Sequence, residues 1–335
     1  MKAVFMFSLK LHLKQAVVLG GILLLFACAH APQAAPLSLA YITNQGENTV
    51  SVIDTTTKQV KYTVPVGKAP VGVAVSRGLG LVFISNVDSN SISVIDVKNH
   101  QVTASIALKG APVGLALAPN QHTLYVADWY SDQILAIDTA DYKKQREVLV
   151  AKAPAGLVVS PDNKMVYVAA RDTNEIVVID AASLRIIKRV HAGTHPFGLS
   201  ISADGHTLYA VNVYENTVSM INTRDWRQTK LKVGEHPYCA VASPDNQTLY
   251  VTNTQDDTVS VIDLKTRQTI TTVDVGMTPE GISYDTVNQQ VLVASWGDNE
   301  VTVIDANTHK VVAHIKTGDK SRAFGAFILS LSKSK

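Results

Sequence analysis

The sequence predicts an all-β fold, a closed seven-bladed β-propeller with four antiparallel strands in each blade, and three observations predict it. A short motif recurs as "YITN" (Tyr41), "FISN" (Phe83), "YVAD" (Tyr125), "YVAA" (Tyr167), "YAVN" (Tyr209), "YVTN" (Tyr250) and "LVAS" (Leu292), its starts 42, 42, 42, 42, 41 and 42 residues apart. Each period contains four short apolar runs separated by turn residues. The pattern begins in mid-period and finishes with a run that has no period of its own.

Within one period the runs are "PVGVAVS" (70–76), "LVFISN" (81–86), "ISVID" (92–96) and "VTASIAL" (102–108). Their lengths and spacing suit short antiparallel strands, and their Val, Ile and Thr content favours strand over helix. Many are apolar on both faces, which requires sheets covered on both sides. A four-stranded sheet repeated at this period is a propeller blade packed between two neighbours. A helical solenoid would need a 3.6-residue periodicity, which is absent. At the ends, 38–44, 49–54 and 59–66 supply a second, third and fourth strand, and "AFGAFIL" (323–329) is an orphan first strand. Joining it to the N-terminal three completes a seventh blade and removes both open edges. The expectation is one domain over 38–330, with a short tail at 331–335.

Residues 1–28 read as an export signal. Lys2, Lys10 and Lys14 flank the apolar run 16–27, with no acidic residue before position 47. That run is too short to span a bilayer comfortably. Leu25 and Ala27 before Cys28 resemble the lipobox of bacterial lipoproteins, in which the cysteine is acylated, although Phe26 is an unusual middle residue. Ordinary cleavage after Ala29 fits the same residues, and both routes stand. Either places the mature chain in the periplasm or at the outer membrane, behind a flexible linker at 29–37.

The whole chain carries a formal charge of +2, with 30 basic and 28 acidic residues. Removing residues 1–28 takes three lysines and no acids, which leaves −1. A near-neutral domain gives no electrostatic case for nucleic acid, which calls for a basic stripe. Cys28 and Cys239 are the two cysteines; once Cys28 is cleaved away or acylated, Cys239 has no partner for an intrachain disulfide. No CxxCH run is present for covalent haem.

Seven copies in one chain can be compared with one another. What every copy has answers a need of every blade. Six positions before the strand-end aspartate stand Asn48, Asn90, Asp132, Asn174, Asn216, Asp257 and Asn299, and the strand ends carry Asp54, Asp96, Asp138, Asp180, Asn222, Asp263 and Asp305. Short polar side chains here bond the backbone two residues on and hold tight turns. Spread one per blade, they do not converge as hard-cation ligands must. Pro-x-Gly before the inner strand places Gly72, Gly114, Gly156, Gly198, Gly281 and Gly325, with Cys239 in the fifth copy. Cys would be costly where positive φ is needed, so the position requires smallness. Cys239 reads as a buried structural thiol.

What differs between copies points to a site. Loops entering the inner strand and leaving the motif strand share one face. The residue before the proline position reads Ala69, Ala111, Ala153, His195, His236, Thr278 and Arg322, and the one after it Val71, Val113, Ala155, Phe197, Tyr238, Glu280 and Phe324. The residue after the motif reads Gln45, Val87, Trp129, Arg171, Val213, Thr254 and Trp296. The candidate ligand-binding set at this funnel is therefore Trp129, Arg171, His195, His236, Glu280, Trp296 and Arg322. Arginines suit carboxylate or phosphate, and tryptophans suit a flat group; the alternative is a mixed polar rim, with the tryptophans covering strand ends and the arginines paired to Asp128, Asp172 or Glu280. The turns on the opposite face are polar hairpins with little unusual in them.

"YVTN", "TVSVID", "KVGEHPYCAVASPDN" and the 42-residue period resemble the YVTN family of bacterial and archaeal β-propellers over about 38–329. The resemblance implies an exported or surface protein; relatives in the wider seven-bladed group include sugar lactonases and quinoprotein-like dehydrogenase subunits. Fold analogy does not choose among these. Neither a nucleophile elbow nor metal-ligand spacing nor a phosphate loop is present, and no cofactor is expected. The expected function is a noncatalytic, monomeric binding or scaffold protein recognising an anionic ligand or a protein at the funnel. The alternative is a lactonase-like hydrolase with His195 or His236 as base and Glu280 as its orienter.

Overall fold

A computed structural model of the chain describes residues 37–331. The signal segment, Cys28, most of the linker and residues 332–335 lie outside the described residues. Within them the chain forms seven sheets arranged as blades. The six continuous blades begin at the inner strands Pro70–Ser76, Pro112–Leu117, Pro154–Val159, Pro196–Ile201, Pro237–Ala242 and Pro279–Asp285, each followed by three antiparallel strands in sequence order. Second and third strands are buried almost throughout, as their unbroken Val and Ile runs require. Outer strands such as Gln101–Ala107 bury little more than one residue.

The motif's first residue is an inter-blade wedge. Tyr41, Phe83, Tyr209, Tyr250 and Leu292 are fully buried, and burying an apolar side chain of this size is worth about 1.5–3 kcal/mol. The phenol then reaches the next blade: Tyr125 Oη donates to the Ala181 carbonyl and Tyr250 Oη to that of Ala306, both at 3.2 Å. The motif's last residue is a clamp. Asn253 Nδ2 donates to Thr258 and Ser260 hydroxyls at 2.9 Å, and its Oδ1 accepts the Gly234 N–H at 3.1 Å. Asn44 and Asn212 do the same with their own blades.

The two families of repeated Asn and Asp residues divide their work. Strand-end carboxylates cap the following turn as expected; Asp54 Oδ1 accepts from the N–H groups of Thr56 and Thr57, both at 3.0 Å. The other family corrects the expectation. Its members have positive φ and, instead of bonding their own backbone, reach into the next loop, as Asn174 Oδ1 does to the His195 N–H at 2.8 Å. Asn48, Asp132, Asn216, Asp257 and Asn299 make the equivalent bond.

Closure follows the predicted route with one shift of register. Ile328–Leu331 pairs antiparallel with Leu37–Asn44, completing a sheet with Thr49–Asp54 and Gln59–Pro65. From the Asn44–Ser321 bridge to the Ala40–Ile328 pair the closing segment spans seven residues, where Pro70–Val75 spans five against the matching stretch of its neighbour. The two extra residues push Phe324–Ala326 toward the axis, where it pairs in parallel with Pro70–Ser76. By bonding pattern Ser321, not Ala323, occupies the proline position. Ala323 takes the glycine position, its N–H donating to Thr43 Oγ1 as that of Cys239 does to Thr252 Oγ1. Gly325, assigned there from the sequence, lies instead in the extra loop with φ +113°.

A second seam lies on the opposite face. Asp285 is fully buried between the closing blade and its neighbour, accepting from Ser38 Oγ (3.0 Å), Thr55 Oγ1 (2.6 Å), Asn288 Nδ2 (2.8 Å) and Gln290 Nε2 (3.2 Å). Burial works to raise its pKa, but these bonds and the Val287 N–H outweigh that and hold the carboxyl below the usual range. The turns of that face were expected to hold little; this one departs from the "SPDN" pattern and fastens the ring.

Candidate functional site at the funnel face

The loops predicted to share a face are bonded to each other in every blade. The carbonyl before the proline position accepts the N–H of the residue after the motif: Ala69 from Val87, Ala111 from Trp129, Ala153 from Arg171, His195 from Val213, His236 from Thr254, Thr278 from Trp296 and Lys320 from Gln45. Lys320 thus holds the slot assigned to Arg322 from the sequence. The register shift moves Arg322 to the position after the proline, in line with Phe197, Tyr238 and Glu280. Gly281 shows the same alignment: an added Cβ would meet the Arg322 carbonyl, as one on Gly198 would meet that of Tyr238.

At this position the ring is lopsided. Val71, Val113 and Ala155 are small; Phe197, Tyr238, Glu280 and Arg322 are long, and they fill the mouth. Phe197 packs 4.4 Å from Tyr238 and 5.1 Å from Phe324, ring centre to ring centre, and Trp129 lies 5.7 Å from Phe197. Arg322 donates through Nε to Glu280 Oε2, through Nη2 to Tyr238 Oη at 2.6 Å and through Nη1 to Gln45 Oε1 at 3.5 Å. Trp296 Nε1 donates to the same Gln45 oxygen at 3.3 Å. Burial pushes the Glu280 carboxyl above its usual range while Arg322 pulls against it. Burial likewise pushes up the Tyr238 phenol and the Cys239 thiol, which makes Cys239 a poor nucleophile.

The structure therefore brings Trp129, Glu280, Trp296 and Arg322 into one connected plug. Arg171 joins at its edge, its guanidinium 5.4 Å from the Trp129 ring centre and paired to Asp172 at 3.0 Å. Lys320, which the sequence reading did not single out, sits 5.2 Å over Trp296. The histidines form a separate group around Tyr214, with ring centres 4.4 Å (His195) and 5.1 Å (His236) away. Both have positive φ, held by the bonds on either side of the residue. Among the described residues no hydrogen bond joins either histidine to Glu280, whose partner is Arg322, and no three His, Cys, Asp or Glu side chains gather as metal ligands.

Two corrections follow. Arg322 does not stand ready for an anion, because Glu280 already neutralises it, which is the polar-rim alternative for this residue. Sequence reading also missed the surface around the plug. Tyr130, Tyr214 and Met277 are 76%, 53% and 50% exposed there. Lys68, Lys109 and Lys152 occupy consecutive loops on the side of the small residues and are all exposed. With Arg171 they make four cations against Asp88, Asp132 and Asp172 on that arc, while Glu215, Glu235, Asp256 and Asp298 ring the other side. The lysine repeat was legible in "GKAP", "LKGAP" and "AKAP".

Comparison with known proteins agrees with the architecture. Residues 34–159 match the family described as YNCE-like beta-propeller, and residues 132–233 match the family described as lactonase, 7-bladed beta-propeller. Each match spans less than half of the chain. The second includes Arg171 and His195 but ends before His236, Glu280 and Arg322. No curated protein sequence matches. Among solved structures, Kuenenia stuttgartiensis hydrazine synthase is similar at TM-score 0.74 and 20% identity, covering 82% of this chain and 93% of that one. A functionally unknown protein from Desulfotomaculum acetoxidans DSM 771 aligns at 0.75 and 14%, covering 90% and 100%. Dihydro-heme d1 dehydrogenase NirN in complex with DHE aligns at 0.64 and 14%, covering 85% and 74%. At these identities the likeness is one of fold. The chain is an all-β seven-bladed propeller with YNCE-like and lactonase-propeller segments.

Proposed function

We propose that this chain is an exported, noncatalytic binding propeller whose funnel face docks a protein partner carrying acidic and apolar side chains. One observation carries the reading: the mouth is filled by its own side chains, and exposed Tyr130, Tyr214 and Met277 stand around the filling beside an arc of Lys68, Lys109, Lys152 and Arg171. A filled mouth favours a broad protein surface over a small anionic ligand. Tyr, Trp, Met and Arg are the side chains enriched where proteins bind each other. The three exposed lysines favour acidic side chains on that partner.

The test is photo-crosslinking in the cell envelope from a reactive residue placed at Tyr130 or Tyr214, with Leu79 on the opposite face as control. One partner should be captured from the first two positions and not from Leu79. With that partner purified, Tyr130→Ala combined with Tyr214→Ala should weaken binding at least about tenfold, hot-spot behaviour worth about 1.4 kcal/mol or more. Lys68→Gln, Lys109→Gln and Lys152→Gln together should slow association and flatten its salt dependence. Equal capture from both faces would rule out this face.

The lactonase-propeller match over 132–233 supports a second reading, a lactone or ester hydrolase using His195, His236 and Glu280. It requires turnover that His195→Ala with His236→Ala abolishes while folding is kept. The Glu280–Arg322 pairing weighs against it. Export rests on residues 1–28, and the mass of the mature N-terminus tests it: a diacylated Cys28, a free His30 or an uncleaved Met1 are three different masses.

A further inference from the structure

We infer that the lower half of the propeller axis is a binding site for a small, uncharged, largely apolar molecule, entered from the face opposite the funnel. A cavity of about 330 Å³ lies on the axis. Inner strands run from the funnel face to the opposite face, and the cavity wall is drawn from their later residues: Leu117, Val159, Ile201 and Val241 each stand at or next to the end of a strand. The position after the proline, which fills the funnel mouth, contributes nothing to the wall. Phe324, tilted against Phe197 and edge-on to Tyr238, closes the cavity on the funnel side. Leu117, Ile201 and Val241 are only half-buried, and Gly325 and Ala326 are exposed, so the opposite end is open. This site is separate from the plugged mouth and independent of the partner-binding reading.

Its chemistry selects the ligand class. No Asp, Glu, Lys, Arg or His lines it. A charged ligand would lose its hydration with no counter-charge in return, a cost of several kcal/mol. The wall is mostly Leu, Ile, Val and Ala, with two hydroxyls, Ser200 and Ser283. Ser200 Oγ is buried away from the cavity surface, whereas Ser283 is half-buried on the wall and its hydroxyl is the one a ligand can reach. A ligand carrying one carbonyl or hydroxyl oxygen on an apolar body would hydrogen-bond to it. The volume falls at the lower end of the roughly 300–1,000 Å³ usual for small-molecule pockets, and one wall is the two-residue excess of the closing segment, which no other blade possesses.

The test is titration of the mature protein with the neutral fluorophore N-phenyl-1-naphthylamine. Saturable binding to one site is expected. Ala326→Phe, which fills the cavity from an exposed wall position, should weaken it by about tenfold or more, and Ile187→Thr on an exposed outer strand should leave it unchanged. If Ala326→Phe does not fold, Val241→Phe from another blade carries the same expectation. In competition, 2-acetylnaphthalene should displace the probe about tenfold better than naphthalene-2-carboxylate, and better than 2-ethylnaphthalene. No saturable binding, equal binding by the filled variants, or a carboxylate that competes as well as the ketone overturns the proposal; a ketone no better than the hydrocarbon overturns the hydroxyl's part in it.

Discussion

The Glu280–Arg322 pair shows how one residue's register decides its role. Read from the sequence, Arg322 stands at the funnel rim, either awaiting an anion or paired to an acid such as Glu280. Shifted by two positions, it lies beside Glu280, Tyr238 and Gln45, with side-chain exposures of 18% for the arginine and 12% for the glutamate. A charge so placed depends on its partner. Arg322→Met or Glu280→Leu alone should each cost about 3–5 kcal/mol of unfolding free energy, because each strands a buried charge. The double variant should recover most of that loss, since an apolar pair of similar volume needs no counter-charge. Urea unfolding of the three variants measures this. Single variants costing under about 1 kcal/mol would show that water already reaches the pair.

At the scale of elements, what the sequence reveals follows from what is repeated. Strand limits such as Pro70–Ser76 and Leu81–Asn86 agree with the apolar runs because continuous burial bounded by turn chemistry recurs in seven copies. The motif asparagine was also readable. Asn253 is followed at five and seven positions by Thr258 and Ser260, the hydroxyls it bonds. Its cradle is readable within this one chain as well. Where the motif ends in Asn or Asp, the facing loop has glycine, because a Cβ on Gly234 would come within 2.6 Å of the Asn253 side chain. Where the motif ends in Ala170, the loop carries Ala151 instead. The closing segment was not readable in this way: it has a single copy, and nothing in "AFGAFIL" reveals that two residues are extra. The candidate site inherited that error at Arg322, and only there. The other six site residues came from loops with seven examples and stand on the face assigned to them, although the histidines make a group of their own.

At the scale of the molecule, ring closure is held by strand pairing at 328–331 and by the Asp285 seam. The seam makes stability depend on pH. Asp285 has a lower pKa folded than unfolded, so its contribution is complete above the unfolded value, about 3.9, and is lost as pH falls through the depressed folded value. Asp285→Asn should lower the melting temperature at pH 7, because an amide nitrogen would then face donors from Thr55, Asn288 or Gln290, an unmade bond costing about 1–3 kcal/mol. The gap between variant and parent should narrow below pH 4. A gap that stays constant from pH 7 to pH 3 would assign the effect to packing.

The terminal segment has a consequence for biosynthesis. The innermost strand of the first blade is the last of the propeller's strands to leave the ribosome, so a polypeptide halted anywhere short of Ile328 leaves the backbone donors and acceptors of Leu37–Asn44 facing water, a template for aggregation. Emergence in the direction of translation lets six blades pack against one another before the annulus can shut. A prematurely terminated product therefore advertises its own incompleteness as a sticky edge, for proteolysis to find.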